Sequence, residues 1–158
     1  MTTRIGFGYD VHAFAPGRPL VLGGIFIPYE YGLSGHSDAD AVLHAIIDAL
    51  LGAAALGDIG SHFPSSDIRW KDQSSTVFLD YTCALLRQQN WAISNIDATI
   101  VAEHPRLATH IQDMRAHLAE HLHVQLDQVS VKATTTDGLG FVGRGEGIAC
   151  YAVTLIEK

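Results

Sequence analysis

Ala39-Asp40-Ala41-Val42-Leu43-His44-Ala45-Ile46-Ile47-Asp48-Ala49-Leu50-Leu51-Gly52-Ala53-Ala54-Ala55-Leu56 is the stretch whose reading decides the fold. Val42, Leu43, Ile46, Ile47, Leu50, Leu51 and Ala54 recur at helical spacing and predict an amphipathic helix over residues 39–56. Asp38 or Ser37 is the expected N-cap, and Gly57-Asp58-Ile59-Gly60 the expected stop. His44 lies about 110° round the helical wheel from the centre of the apolar stripe. At that edge of the buried face, an imidazole can reach across to a neighbouring sheet.

Upstream, residues 4–14 predict a strand, with Gly6 and Gly8 marking a close backbone approach or a bulge. Residues 20–22 and 25–28 predict a hairpin about Gly23-Gly24, and 29–37 a loop. Downstream, an irregular loop carries Phe63-Pro64-Ser65-Ser66-Asp67. A second helix over 74–89 begins at Ser74 or Ser75, with Val77, Phe78, Tyr81, Leu85 and Leu86 inward. Strand 92–103, helix 107–123, strand 129–135, a Gly-rich turn at 138–147 and strand 145–156 complete the chain. There is no internal repeat or linker, so residues 1–158 are read as one domain. The interleaved order predicts a two-layer α/β (α+β) sandwich, a mixed four-stranded sheet with helices on one face. The other face then needs cover, and self-association is the simplest source.

The chain is 47% hydrophobic and 17% charged, a globular composition. A net charge of −7 argues against nucleic-acid binding, which draws its affinity from basic excess. No apolar run reaches the length of a membrane span, and the N-terminus lacks a basic-then-apolar leader. Cys83 and Cys150 are the only cysteines. Without CxxC spacing they read as buried reduced thiols of a cytoplasmic protein.

Asp10 and His12 are two apart in a strand and project from one face. With His44 they make a plausible open zinc set, three protein ligands with a position left for substrate or water. Both imidazoles must be neutral to bind, so affinity is expected to fall in acid. Asp58 is either a turn residue or a group that orients an imidazole or meets substrate hydroxyls. In Lys132-Ala133-Thr134-Thr135-Thr136-Asp137 the threonines suit a strand. At a strand end they can also meet phosphate oxygens, with Asp137 a suitable ligand for Mg²⁺. Gly138-x-Gly140-x-x-Gly143 matches the dinucleotide fingerprint. The extended, glycine-punctuated sequence after it argues against one. Arg144 is either a phosphate clamp or the partner of Glu146. His117-x-x-Glu120-His121 matches an inverted zinc-peptidase motif, but reads better as the surface of an amphipathic helix.

These residues converge on one family. Arg4-Ile5-Gly6, Gly8 to His12, Gly23-Gly24 with Ile27 to Glu30, Gly35 to Asp40, Leu43 to Ala45, Asp48 to Gly60, Lys132 to Thr136 and Gly140 to Ile148 carry the resemblance. In these blocks, spread over residues 4–157, the chain resembles the 2-C-methyl-D-erythritol 2,4-cyclodiphosphate synthases of non-mevalonate isoprenoid biosynthesis. The resemblance implies a homotrimer whose sheets pack around a central axis, with active sites between subunits. It implies zinc on Asp10, His12 and His44, and Mg²⁺ or Mn²⁺ at Asp137 bridging the phosphates of a cytidine diphosphate substrate. His36 and Thr135 correspond to transition-state stabilisers. Ser37 corresponds to a phosphate contact, Asp58, Ile59 and Gly60 to diol contacts, and Phe63, Pro64, Ser65, Ser66 and Asp67 to a covering loop. Ala102, Pro105, Arg106, Leu107, Ala108, Thr134 and Thr135 correspond to a cytidine pocket, with Thr136, Phe141 and Arg144 as further substrate contacts. Phe7, Phe141, Arg144 and Glu146 correspond to a central channel that takes isoprenoid diphosphates.

This chain departs from the family at Asp137 (often Glu), Arg106 (usually Lys) and Glu103 (usually Gln), and in the Ser65-Ser66 of the covering loop. The shorter Asp137 arm is expected to shift the second metal. A zinc hydrolase and a trimeric isoprenoid-binding scaffold with structural zinc are the alternatives. Three-ligand zinc disfavours the scaffold, because structural zinc usually has four protein ligands.

Overall fold

A computed structural model describes all 158 residues. The strands are β1 (Thr3–Pro16), β2 (Leu20–Leu22), β3 (Ile25–Ile27), β4 (Tyr31–Leu33), β5 (Ala92–Val101), β6 (Val129–Thr134) and β7 (Gly147–Glu157). The helices are α1 (Ala41–Ala53), α2 (Ile59–His62), α3 (Ser75–Gln88), α4 (Ile111–Leu122) and α5 (Gly140–Gly143). The main sheet runs β4-β1-β7-β5-β6, with β5 and β6 parallel and the other neighbours antiparallel. It has five strands, not the predicted four. The addition is Tyr31–Leu33, inside the predicted loop, which pairs with Phe14–Pro16. Three residues centred on Gly32 carry no alternation to read, and only the long-range pairing makes them a strand.

Small residues bring α1 onto β1. A Cβ on Gly6 would lie 1.8 Å from the Ala49 carbonyl oxygen, and one on Gly8 would lie 1.8 Å from that of Ala45. The close approach expected at these glycines is therefore real, and the helix presents Ala45, Ala49 and Ala53 to it. Gly8→Ala is expected to lower stability by about 3 kcal/mol, the upper end of the usual overpacking cost, because the helix must lift off the strand. Urea unfolding measures the loss, and an unchanged midpoint would contradict the packing.

α1 is shorter than predicted at both ends. Ala39 is left-handed at φ 59°, and Asp40, not Ser37 or Asp38, caps the helix by accepting from Leu43 N. The Asp40 carboxylate also accepts from Gly23 N at 2.9 Å and Gly24 N at 2.7 Å, tying the β2–β3 turn to the helix. Both glycines have positive φ, as a two-residue I′ turn requires. Burial, then the nearby charge of Asp38, push the Asp40 carboxyl up to about 6 against those three N–H donors. At the other end Ala55 turns left-handed. Leu56 N bonds Leu51 O and Ala55 N bonds Gly52 O, a Schellman closure ahead of Gly57.

The inward stripe of α3 is Phe78, Leu79, Thr82, Cys83 and Leu86. Val77 and Tyr81, predicted inward, are exposed. The helix rolls so that Phe78 meets Phe63 while its other edge faces α4. Cys83 and Cys150 are free and buried, as expected.

The helices cover one sheet face. The other shows Ile5, Phe7, Tyr9 and Val11 from β1 beside Tyr151 and Val153 from β7, with Ile5 70% and Phe7 62% exposed. Tyr9 and Tyr151 pack at 5.0 Å between ring centroids. A continuous apolar patch of this kind marks an interaction surface. No helix is long and apolar enough to cross a membrane.

Candidate metal and nucleotide sites

Alternation along β1 turns Asp10 and His12 toward α1, which brings His44 against them. Asp10 Oδ2 lies 2.7 Å from His12 Nε2 and 3.2 Å from His44 Nδ1, and the two nitrogens are 3.4 Å apart. These three residues are the one group of three or more His, Cys, Asp or Glu side chains close enough to share a cation.

The surrounding hydrogen bonds decide what those nitrogens offer. His12 Nδ1 lies 2.7 Å from the Ser34 carbonyl oxygen, which only accepts, so Nδ1 carries the proton. In the neutral ring, Nε2 therefore turns a lone pair toward Asp10. His44 Nε2 lies 2.8 Å from Ser75 Oγ, leaving Nδ1 to face the same carboxylate. Asp10 Oδ2 is shielded from solvent and accepts no hydrogen bond under this arrangement, despite its two close neighbours. Three lone-pair donors converging on one point repel each other unless positive charge lies between them. A divalent cation or an extra proton meets that need, so the donor set fits a metal. The proton preferences agree. Burial works against charge on His12, but hydrogen bonding to Asp10, its charge and the Ser34 carbonyl outweigh it and raise the pKa. Burial likewise opposes the Asp10 carboxylate, and the hydrogen bonds it would accept from His12 and His44 once a proton lies between them prevail and lower its pKa.

A cleft of about 210 Å³ opens over this group. His36, Ser37, Ile59, Gly60, Phe63 and Ser65 line it, all candidates from the sequence, together with Trp70 and Phe78, which the sequence does not mark as site residues. Phe63 stacks on Phe78 at 4.4 Å with Trp70 edge-on at 5.4 Å, an aromatic floor for the loop. His36 Nε2 donates to the Asp67 carbonyl at 3.0 Å. The Asp67 carboxylate turns away to grip Arg69, with a contact of 2.6 Å, and caps the turn Ile68–Trp70. Pro64 and Ser66 are exposed on the same loop. Asp58 serves as the N-cap of α2, accepting from Ser61 N at 2.8 Å. That bond, then the Ser61 hydroxyl, hold its carboxyl below the usual range. Arg18, another residue absent from the sequence prediction, donates to Gly35 O at 3.0 Å and Ser37 O at 2.6 Å and fixes the His36-Ser37 loop. An arginine in an unpatterned turn gives no signal of its distant acceptors.

A second cleft, of about 320 Å³, lies at the ends of β5 and β6. Ala102, Pro105, Arg106, Leu107, Ala108, Thr134 and Thr135 line it as expected, joined by Glu103, His104 and Ala133. Glu103 accepts from Thr136 N at 2.8 Å, and the Thr136 hydroxyl lies 2.6 Å from the Leu139 carbonyl, its nearer acceptor, and 3.1 Å from the Glu103 carboxylate. Asp137 is left-handed at φ 53°, exposed, and accepts from Thr135 Oγ1 at 3.2 Å. Phe141 and Arg144 line neither cleft, and Arg144 pairs with Glu146 at 2.8 Å, the second of the two roles its sequence allows. Gly140–Gly143 forms one helical turn in the predicted Gly-rich turn. His117 bonds Thr76 at 3.0 Å and His121 bonds Asp80 at 2.8 Å, so the HxxEH residues tie α4 to α3. His117 is half-buried against Gly24, further in than a surface residue.

The two clefts share no residue. Asp10 and His12 lie on β1 and Thr134 on β6, three strand spacings across the sheet or roughly 14 Å. One chain therefore does not bring His36 and Thr135 into a common cleft.

The YgbB family model matches residues 3–157. A 2-C-methyl-D-erythritol 2,4-cyclodiphosphate synthase of Syntrophomonas wolfei is 57% identical over 155 residues, covering 98% of this chain and 99% of that protein. A 2-C-methyl-D-erythritol 2,4-cyclodiphosphate synthase solved in a CDP-bound form superposes with a TM-score of 0.90 at 34% identity, over 98% of this chain and 100% of the other. The bifunctional IspDF of Campylobacter jejuni superposes with a TM-score of 0.95 at 39% identity. That match covers 98% of this chain and 42% of the longer one.

Proposed function

This chain belongs to the YgbB family, and from that membership and the site geometry we infer how it works as a cyclodiphosphate synthase. It converts 4-diphosphocytidyl-2-C-methyl-D-erythritol 2-phosphate to 2-C-methyl-D-erythritol 2,4-cyclodiphosphate and CMP, a lyase reaction of isoprenoid biosynthesis. An oxygen of the 2-phosphate bonds to the β-phosphorus as the bond from that phosphorus to the CMP oxygen breaks. The attacking phosphate is largely ionised near neutral pH (second pKa about 6), so no general base is needed. The chain's work is to fold a flexible substrate and neutralise its charge. Holding the reacting groups together is worth up to roughly 7–11 kcal/mol in favourable cases.

The observation that carries this reading is the convergence of Asp10, His12 and His44 under an open cleft. Zinc held by these residues would supply a Lewis acid and a template for a phosphate oxygen. Ser37 and His36 orient the phosphates from the loop above. Asp58, Ile59 and Gly60 receive the diol, and the loop from Phe63 to Asp67 covers it. The cytidine base takes the cleft between Ala102–Ala108 and Thr134-Thr135, and a relative solved in a CDP-bound form supports a cytidine nucleotide as ligand. His36 and Thr135 donate hydrogen bonds to charge developing at phosphorus. Asp137, with Thr136 beside it, would hold Mg²⁺ or Mn²⁺, which would supply positive charge to the leaving phosphate.

Since the two clefts lie apart on one chain, the working site joins the metal cleft of one subunit to the nucleotide cleft of the next. The apolar sheet face supports a homotrimer in which three such faces surround an axis. Phe7, Phe141, Arg144 and Glu146 then line a channel suited to an isoprenoid diphosphate. We read residues 1–158 as one synthase domain, and the two reduced thiols favour the cytoplasm.

Phosphorus NMR with the cytidine substrate and a divalent metal tests the reading. Cyclic diphosphate plus CMP is expected, and a linear product would favour a hydrolase. Asp137→Ala should lower turnover at least about 100-fold, through lost leaving-group stabilisation, with thermal stability nearly unchanged. Full activity would remove Asp137 from the mechanism.

A further inference from the structure

Behind His44 lies a hydrogen-bonded relay that none of the roles above employs. Ser75, the first residue of α3, is completely buried. Its hydroxyl lies 2.8 Å from His44 Nε2 and within hydrogen-bonding distance of Asp38 Oδ1. Asp38 also accepts from Ser75 N at 3.0 Å and Asp40 N at 3.1 Å. A carboxylate only accepts, so the single Ser75 proton points to Asp38. The Ser75 oxygen then takes its second hydrogen bond from His44, which requires the proton on Nε2. The Nδ1 lone pair is left facing Asp10 and His12. Ser37 Oγ, at 3.3 Å from the same Nε2, is a longer and weaker partner.

We propose that Asp38 and Ser75 are positioning residues that set the tautomer and ring orientation of His44, so that Nδ1 is its metal-binding atom. This rests on reading Asp10, His12 and His44 as the metal group. Carboxylates that orient ligating imidazoles directly are common outer partners of metal sites. Here a serine stands between, and it ties the ligand's orientation to the start of α3. Neither residue belongs to the metal group or lines the cleft itself.

The test is the zinc affinity of purified protein, measured by competition with a chromogenic chelator, in wild type and in Ser75→Ala, Ser74→Ala and His44→Ala. Ser74 caps the same helix by accepting from Thr76 N at 3.3 Å but does not contact His44. Ser75→Ala is expected to bind zinc about 10- to 100-fold more weakly, with Ser74→Ala unchanged. Ser75→Ala within twofold of wild type, or an equal loss in Ser74→Ala, overturns the proposal. Unchanged affinity in His44→Ala instead overturns the metal reading beneath it. If Ser75→Ala does not fold, nitrogen-15 NMR of the zinc-loaded wild type decides. A His44 proton on Nε2 is expected, and one on Nδ1 refutes the relay.

Discussion

His44→Ala is expected to cut turnover by at least about 10³-fold and to strip the protein of zinc while leaving it folded. His44 supplies one of three converging donors, and Asp10 with His12 alone makes a two-ligand site. A Lewis-acid template contributes several kcal/mol to the barrier, and each 1.36 kcal/mol is a factor of ten in rate. The cost in stability is smaller. The buried bond to Ser75 is lost, about 1–3 kcal/mol for a donor or acceptor left without its partner. Metal content by mass spectrometry, turnover by phosphorus NMR and thermal unfolding separate the effects. Zinc at full occupancy in the folded variant would remove His44 from the ligand set. His117→Ala serves as the contrast. It breaks the Thr76 hydrogen bond and the packing on Gly24 and His121 but touches no member of the metal group, so it should retain zinc and activity, where a peptidase-like site on α4 would lose both.

Tyr151→Asp should yield a folded monomer with less than about a thousandth of wild-type activity. Tyr151 sits at the middle of the apolar face, touching Phe7 and Tyr9, and is 41% exposed in the single chain. Folding of one subunit therefore tolerates a carboxylate there. Assembly through that face would bury three of them, at several kcal/mol each. The separated subunits keep both clefts, but three strand spacings apart across the sheet, so turnover fails with the metal group intact. Sedimentation velocity and zinc content read the two effects independently. A monomer with full activity would mean that the site is complete within one chain. The same geometry predicts complementation. Chains carrying His44→Ala and Thr135→Ala, each inactive alone, should regain partial activity when refolded together, because a mixed form of the proposed trimer would join an intact metal cleft to an intact nucleotide cleft.

Much of this was legible in the sequence because it depends on local periodicity. Asp10 and His12 share a face because strands alternate, and the stripe from Val42 to Ala54 places His44 at the edge of a buried helix. Gly6 and Gly8 announce the close approach that brings the two together. The long matching blocks carry the family, and with it the residues that gather in each cleft. Less legible were features set by partners far along the chain. Tyr31–Leu33 becomes a strand only by lying beside Phe14–Pro16. The end of α1 moves to Ala53 because Ala55 accepts a left-handed conformation that its identity does not advertise.

The composition and spacing of this chain by themselves determined its long elements, the buried face of α1 and the chemical type of its candidate ligands. Which nitrogen of each imidazole is free, and that the two clefts stand apart across the sheet, only the tertiary structure decided. Tautomer and cleft geometry depend on contacts such as Ser75 with His44, 31 residues apart, and no pattern of neighbouring residues encodes a hydrogen bond made across that separation.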